Sequence, residues 1–439
     1  MKNWVIKKGH DTRIRTRHPW VFSNELIHSP KSIVGGEEIE LLDVNGNFIA
    51  RGYGNPMSQI SFRAMSFIIK ENFSMQPHFL TERLLKAWNY RHRAGFYKSF
   101  RLCFSEADYM PGLVLDRYVF EKNNQTYQVF SYQLLTSGMD VAFKKNDHWK
   151  TILQSLVEQA TAKKLNDISW ENTFVLQRND VNIRKLEGLL VEEPLLLKSV
   201  GDENLTDIQI QIQKVLKPSE VIKFKVNLPD GQKTGFFLDQ TFNIKLLLQQ
   251  LESQKESLKN KKLKILDLCC YMGQWSAQIV AQLKDWNIDC EVHLVDVSDL
   301  ALEMAQQNIS QYGVEVKCYK KDVLSLEEVV EFKNLKFDVV ISDPPAFVKN
   351  KKDINQGLNA YTKLNTQAFK LCAEGAVVVS CTCSGVVTLE EFKEALRKSV
   401  LKSGANAKCL AYGGQGWDHP HLMHFPEGYY LKMILHQLD

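Results

Sequence analysis

The chain has 439 residues, 44% of them hydrophobic and 24% charged, with a net charge of +4. This is ordinary globular composition with enough apolar side chain for more than one core, and at about 150 residues per domain it predicts about three domains. No run of about 18 apolar residues occurs, and Met1-Lys2-Asn3-Trp4-Val5-Ile6-Lys7-Lys8 lacks the apolar stretch of a signal peptide, so a cytoplasmic protein with no membrane span is expected.

Residues 1–70 carry ten Lys/Arg against six Asp/Glu, which is the whole net charge. The first seventeen residues hold six of those cations against Asp11 alone. Arg13, Arg15 and Arg17 are therefore candidate contacts to a polyanion, although a solvated surface explains the same charges equally well. Short alternating strands follow at 34–42, 48–54 and 60–65. The first two are joined at Asn45-Gly46, a dipeptide that tolerates positive φ at both positions. Such a module has no room for a catalytic core.

Residues 71–205 read as mixed. A helix is predicted over 81–97, carrying Arg91 and Arg93 as further candidate contacts to a polyanion, and another over 149–162. Strands are predicted at 113–118 and 129–135, with a loop or hairpin tip at 121–126. From residue 206 the pattern becomes strand-helix alternation. Strands are expected at 263–268, 291–297, 337–343 and 376–381, and helices at 274–283 and 299–312. Alternation at this spacing predicts βαβ units and a mostly parallel sheet, whose ligands bind outside the carboxyl ends of the strands.

Each of those ends carries chemistry. The first runs into Asp267-Leu268-Cys269-Cys270-Tyr271-Met272-Gly273, a turn with one glycine rather than the Gly-x-Gly-x-x-Gly of a dinucleotide site. The second ends in Asp296, 23 residues past Gly273, where a carboxylate can accept hydrogen bonds from ribose hydroxyls. Acidic strand ends with a turn unsuited to pyrophosphate favour S-adenosylmethionine over NAD. The third runs into Ser342-Asp343-Pro344-Pro345-Ala346, a stiff loop that presents Asp343 to a planar base. The fourth ends in Cys381-Thr382-Cys383-Ser384-Gly385, a thiol placed as a nucleophile.

Nine cysteines are present, an odd number, with eight in the C-terminal half and no Cys-x-x-Cys. That speaks against a disulfide framework, and most of these thiols read as small buried hydrophobes. Cys381 and Cys383 with His419, His421 and His424 could supply zinc ligands, but the Cys-x-Cys spacing and the lack of a second thiol pair disfavour that set, so no metal is expected.

At this point the chain resembles, over nearly its whole length, the bacterial ribosomal RNA large-subunit cytosine-C5 methyltransferases that carry an N-terminal PUA domain. The blocks that carry the resemblance are Arg17-His18-Pro19-Trp20-Val21-Phe22; Glu106 to Arg117; Arg178-Asn179-Asp180; Arg184 to Gly188; Gly231 to Gln240; Asp418-His419-Pro420; and Pro426 to Lys432. The resemblance implies a PUA-like RNA-binding domain at 1–70, a central α+β domain at 71–205 and, at 206–439, a Rossmann-like class I methyltransferase domain with a mostly parallel seven-stranded sheet. It implies S-adenosylmethionine as cofactor, with Asp267, Cys269, Tyr271 and Gly273 at its methionine part, Asp296 at its ribose and Asp322 by its adenine. Asp343 would lie at both donor and target cytosine. Gln232, Thr234 and Gly235 would form a wall of the donor pocket, and Cys383 would be the nucleophile. The implied partner is large-subunit ribosomal RNA; a homodimer stays open. Cys270 and Met272 stand where smaller or hydroxyl residues are common. Ala346 stands where many RNA cytosine-C5 enzymes have a second cysteine that assists product release. The alternatives are methylation of a guanine or an exocyclic amine without covalent catalysis, and a non-catalytic RNA-binding assembly factor.

Overall fold

The alternating N-terminal segments form a five-stranded sheet in the computed structural model, which describes residues 1–28 and 30–439. Its members are β1 (Lys2–Val5), β2 (Trp20–Phe22), β3 (Glu38–Leu42), β4 (Phe48–Gly54) and β5 (Ile60–Ser66), in the order β1-β3-β4-β5-β2, with the helical turn α1 (Thr12–Arg15) between β1 and β2. Trp4, Ile14, Val21, Ile39, Leu41 and Phe62 fill the inner face. β3 begins at Glu38 rather than at Val34. Gly36 takes φ +92° there, and the Glu37 carboxylate accepts the Val34 N–H at 2.9 Å, so the expected strand opens with a turn.

A second sheet is flanked by α2 (Pro77–Arg93), α3 (Ser137–Lys144) and α4 (His148–Ala162). It holds β6 (Phe100–Phe104), β7 (Leu113–Lys122), β8 (Gln125–Leu134), β9 (Thr173–Gln177), β10 (Leu195–Lys198) and β11 (Ile208–Gln213). The order is β10-β9-β8-β7-β11, with β6 on β7. Leu84, Trp88, Phe130, Tyr132, Ile152 and Leu156 form its core. Of the loop and the hairpin tip expected at 121–126, the structure has the hairpin, with β7 and β8 paired out to Lys122 and Gln125. Asn123 and Asn124 make the whole turn at φ +51° and +58°, a conformation asparagine tolerates. Tyr127 stacking on Phe120 at 5.2 Å extends the ribbon.

The third sheet carries β13 (Leu263–Leu268), β14 (Cys290–Asp296), β15 (Glu315–Lys320), β16 (Phe337–Ser342), β17 (Cys372–Thr382), β18 (Ala407–Gly414) and β19 (Lys432–Leu438), preceded by β12 (Val221–Val226). Its order is β15-β14-β13-β16-β17-β19-β18. The first five strands are parallel and β19 runs antiparallel to both neighbours, so the sheet is seven-stranded and mostly parallel, as expected. α5 (Thr241–Ser253), a single turn α6 (Lys255–Leu258), α7 (Gln274–Asp285), α8 (Asp299–Ser310), α9 (Ile354–Lys370) and α10 (Leu389–Ser403) complete it, with α9 packed on α10 and α7 between α5 and α8.

By compactness the chain forms two units. One comprises 1–211, 227–238 and 417–428; the other comprises 212–226, 239–416 and 429–439. Segments 227–238 and 417–428 thus leave the C-terminal stretch in which the sequence reading placed them and fold with the first unit. That unit is held by a buried ion cluster. Arg63, 7% exposed, donates to Glu106 at 3.0 Å and to Glu187 at 2.8 Å. Glu106 also accepts the Trp20 indole N–H at 2.7 Å, and Glu187 accepts from Asn55 and Ser58. Arg101 pairs with Asp116 through two bonds of 2.7 Å.

Removing one member of a buried ion cluster leaves the others uncompensated. Arg63→Ala strands two carboxylates and should cost about 3–5 kcal/mol of stability in denaturant unfolding. Arg51→Ala, at the half-exposed pair with Glu40, should cost about 1 kcal/mol or less. Equal losses would contradict the assignment of Arg63 as the hub.

Candidate functional site

Parallel pairing brings the carboxyl ends of four strands to one edge of the second unit's sheet. Leu268 is level with Val295 and with Ser342, and Ser342 with Ser380. The next residues of each chain are therefore Cys269, Asp296, Asp343 and the Cys381–Cys383 segment, side by side.

The turn after β13 is built from residues in the left-handed region, with Cys269 at φ +63°, Tyr271 at +47° and Gly273 at +77°. For Cys269 and Tyr271 this costs about 1–2 kcal/mol each. Asp296 offsets part of that strain. One of its oxygens accepts the Tyr271 N–H at 3.1 Å, and the other accepts the Ser298 N–H at 3.0 Å. Gly273 opens α7 pressed against α8, where a Cβ would stand 3.1 Å from the Ala305 side chain. Asp267 lies beneath the turn, fully buried, and accepts the Ser276 hydroxyl at 2.6 Å through one oxygen while the other has no partner among the described residues. Burial pushes its carboxyl up to about 7, with Asp343 and Asp296 adding to the shift. Asp322, exposed, caps a short turn by accepting the Leu324 N–H at 2.9 Å. Burial and the carboxylates of Asp296, Asp343, Asp267 and Asp322 push the Cys269 thiol well up. Four acids thus bear on one point of the turn.

Asp343 is fixed from two helices. Its Oδ2 accepts from the Gln240 amide at 2.8 Å, at the start of α5, and from the Trp275 indole N–H at 3.0 Å, in the first turn of α7. The Asn243 amide donates to Gln240 Oε1 at 2.6 Å, which settles which end of Gln240 faces Asp343.

The two thiols of the fourth strand end differ. β17 stops at Thr382, so the alternation of sides ends there. Cys381 is fully buried, and burial pushes its thiol well up. Cys383 is half-exposed, its Sγ 3.9 Å from the Pro344 carbonyl. Tyr361 ties the two loops together, its hydroxyl accepting from Thr382 Oγ1 at 2.7 Å and from the Phe347 N–H at 3.3 Å. Gln240, Trp275 and Tyr361 were not singled out in the sequence. Gln240 closes the Gly231–Gln240 block, and Trp275 follows Gly273 by two, so position alone offered a signal.

The remaining candidates lie in the first unit. Arg17 and Arg93 are exposed and form no ion pair among the described residues. Arg13 pairs with Glu25 at 3.1 Å, and Arg15 with Asp11 and Asp43 at 2.5 and 2.7 Å. Arg91 requires a correction. It is fully buried, bonded to both oxygens of Asp108 and to the Asp418 carbonyl, because the apolar stripe of α2 turns it inward; it cannot meet RNA. Thr234 is corrected likewise. It is fully buried, with its hydroxyl spent on Asp116 and Tyr118 inside the unit's own sheet rather than on a donor pocket. Gln232, exposed, and Gly235, at φ +130°, stand in the same turn.

Asp267 sets a pH dependence. Folding raises its pKa from the ordinary 3.8 to about 7, so between those values the folded chain holds a proton that the unfolded chain has lost. The group's contribution to stability is complete below about pH 4 and falls by up to about 1.4 kcal/mol per pH unit as pH rises toward 7. Asp267→Asn, which keeps an acceptor for Ser276, should flatten that slope in urea titrations; an unchanged slope would contradict the assignment.

Residues 5–67 match the PUA-like domain family and residues 259–423 the methyltransferase domain family. Over 98% of its length the chain is similar to proteins named ribosomal RNA large subunit methyltransferase I. It is 28% identical to that of Tolumonas auensis and 29% identical to that of Aeromonas hydrophila, covering 98% of each. It also shares its fold, across the full length of both chains, with an S-adenosylmethionine-dependent methyltransferase from Streptococcus mutans, at TM-score 0.70 and 15% identity. A methyltransferase solved in complex with S-adenosylhomocysteine superposes over the full length at TM-score 0.71. The chain thus pairs a PUA-like domain with a methyltransferase domain, and its full-length fold is shared with the two solved structures.

Proposed function

We propose that the chain methylates large-subunit ribosomal RNA with S-adenosylmethionine as donor, at C5 of a cytosine, through a covalent adduct to Cys383. The observation that carries the reading is the pair of thiols at the end of β17: Cys381 is sealed in the core, while Cys383, two residues on, is half-exposed beside the Asp343 loop. The names of the full-length relatives support ribosomal RNA as substrate.

The residues present suit the donor. Asp296, Asp343 and Asp322, joined by Asp267 as it ionises near pH 7, bear on the turn at Cys269, a field that repels phosphate and attracts a sulfonium cation. Asp267, Cys269, Tyr271 and Gly273 would hold the methionine part, Asp296 the ribose and Asp322 the adenine. When bound, S-adenosylmethionine supplies an electrophilic methyl group.

Carbon 5 of cytosine is a weak nucleophile. Addition of the Cys383 thiolate to C6 turns the ring into an enamine whose C5 is electron-rich. Asp343, its other oxygen engaged by Gln240 and Trp275, binds the base edge and stabilises charge as the adduct forms. After methylation the C5 proton leaves to a base, the electron pair returns to the ring, and the C6–Sγ bond breaks. A base buried in duplex RNA cannot be reached, so the target is unpaired or flipped out.

Cys383→Ala should abolish methyl transfer to ribosomal RNA while leaving donor affinity in calorimetry unchanged. Cys381→Ala should retain transfer and lose only stability, about 1–2 kcal/mol for a small cavity. Retained activity in Cys383→Ala, or a labelled guanine or amine among the digested nucleosides, would contradict the reading.

A further inference from the structure

Lys432 lies opposite Thr382 in the β17–β19 pair, next to the nucleophile loop. It is only 3% exposed. Its Nζ donates to the Ser384 carbonyl at 2.8 Å and to the Tyr430 carbonyl at 3.4 Å, and the Tyr429 ring lies 5.5 Å from it. Among the described residues no carboxylate stands within ion-pairing distance. Cys383 and Glu391 are the acidic groups that act on it, and Glu391 is occupied as the partner in the capping box of α10. A buried ammonium without a carboxylate is costly, and such a site persists where an anion forms beside it. Two of the three N–H bonds are spent on carbonyls, which aim the ammonium at the segment that holds Cys383.

We propose that Lys432 is the counter-cation that holds Cys383 as a thiolate. This rests on the reading of Cys383 as the nucleophile. Asp343, Tyr361 and Cys381, at the same edge, do not supply the charge. Asp343 is an anion, which disfavours a second one. Tyr361 stays neutral because burial pushes its hydroxyl up to about 12, and Cys381 stays neutral because it is sealed in the core. Burial lowers the pKa of Lys432 to about 8, and the nearby Cys383 works in the opposite direction, keeping it charged at neutral pH. The thiol proton passes to solvent as the thiolate forms, so no further reagent is needed. Lys432 acts through Cys383 and is a positioning residue.

The test is site-resolved alkylation of the full chain by iodoacetamide from about pH 5 to about pH 10, read by mass spectrometry at Cys383 and at the exposed Cys409. In the native chain the Cys383 midpoint should lie below that of Cys409. In Lys432→Met it should rise by a unit or more, lowering the rate at neutral pH about tenfold or further, and Lys432→Arg should restore it to within about threefold. An unchanged midpoint in Lys432→Met overturns the proposal, as does an arginine variant no better than methionine. Should Lys432→Met fail to fold, a native Cys383 midpoint at or above that of Cys409 overturns it on its own. Methyl transfer by Cys383→Ala separates the two ideas. A dead Cys383→Ala with an unchanged alkylation midpoint removes the role of Lys432 alone, whereas an active one removes the nucleophile.

Discussion

Asp343 is the constraint on which the second unit's sheet edge depends. Its Oδ2 is gripped by two neutral donors, Gln240 from the start of α5 and Trp275 from the first turn of α7. The loop it begins is stiffened by Pro344 and Pro345 and tied to the end of β17 through Tyr361. Neutral donors hold a carboxylate in place without cancelling its charge. One acid therefore positions two helices, one proline loop and the segment that bears Cys383.

The same edge shows why the donor turn tolerates strain. Cys269 and Tyr271 occupy left-handed backbone that glycine would enter more readily. The Asp296 carboxylate repays part of that cost by accepting the Tyr271 N–H, so one side chain both shapes the turn and charges it. The resulting field is acidic: Asp267, Asp296, Asp322 and Asp343 all act on the thiol of Cys269. Such an edge suits a cationic donor and repels a phosphate backbone. On the proposed function, phosphate contacts must then come from basic surface elsewhere; Arg17 and Arg93 in the first unit are exposed.

Strands β13, β14, β16 and β17 were legible because each holds a short apolar run with a candidate residue at or just past its end, whereas the edge strand β15, Glu-Val-Lys-Cys-Tyr-Lys, has no such run. β19 adds what the alternation cannot show, an antiparallel strand that carries Lys432 beside Cys383's segment. The polar segment between β7 and β8 left loop and hairpin tip open because its side chains are hydrophilic; two asparagines with positive φ and the Phe120–Tyr127 stack keep it paired. Arg91 misled for a related reason. A cation on an amphipathic helix looks solvated until the fold supplies Asp108 to bury it. The block from Glu106 to Arg117 likewise contributes Glu106, Asp108 and Asp116 to ion pairs that hold the first unit together. Partners such as Gln240 for Asp343 lie 103 residues apart, beyond the reach of local pattern.

The most direct measurement is adduct trapping with large-subunit ribosomal RNA carrying 5-fluorocytosine, incubated with S-adenosylmethionine and the full chain. Fluorine cannot leave C5 as a proton does, so a thiol that has added to C6 stays bound. The account predicts a stable protein–RNA adduct whose peptide maps to Cys383. No adduct from an enzyme that methylates the unsubstituted RNA, or an adduct at Cys381, would contradict it.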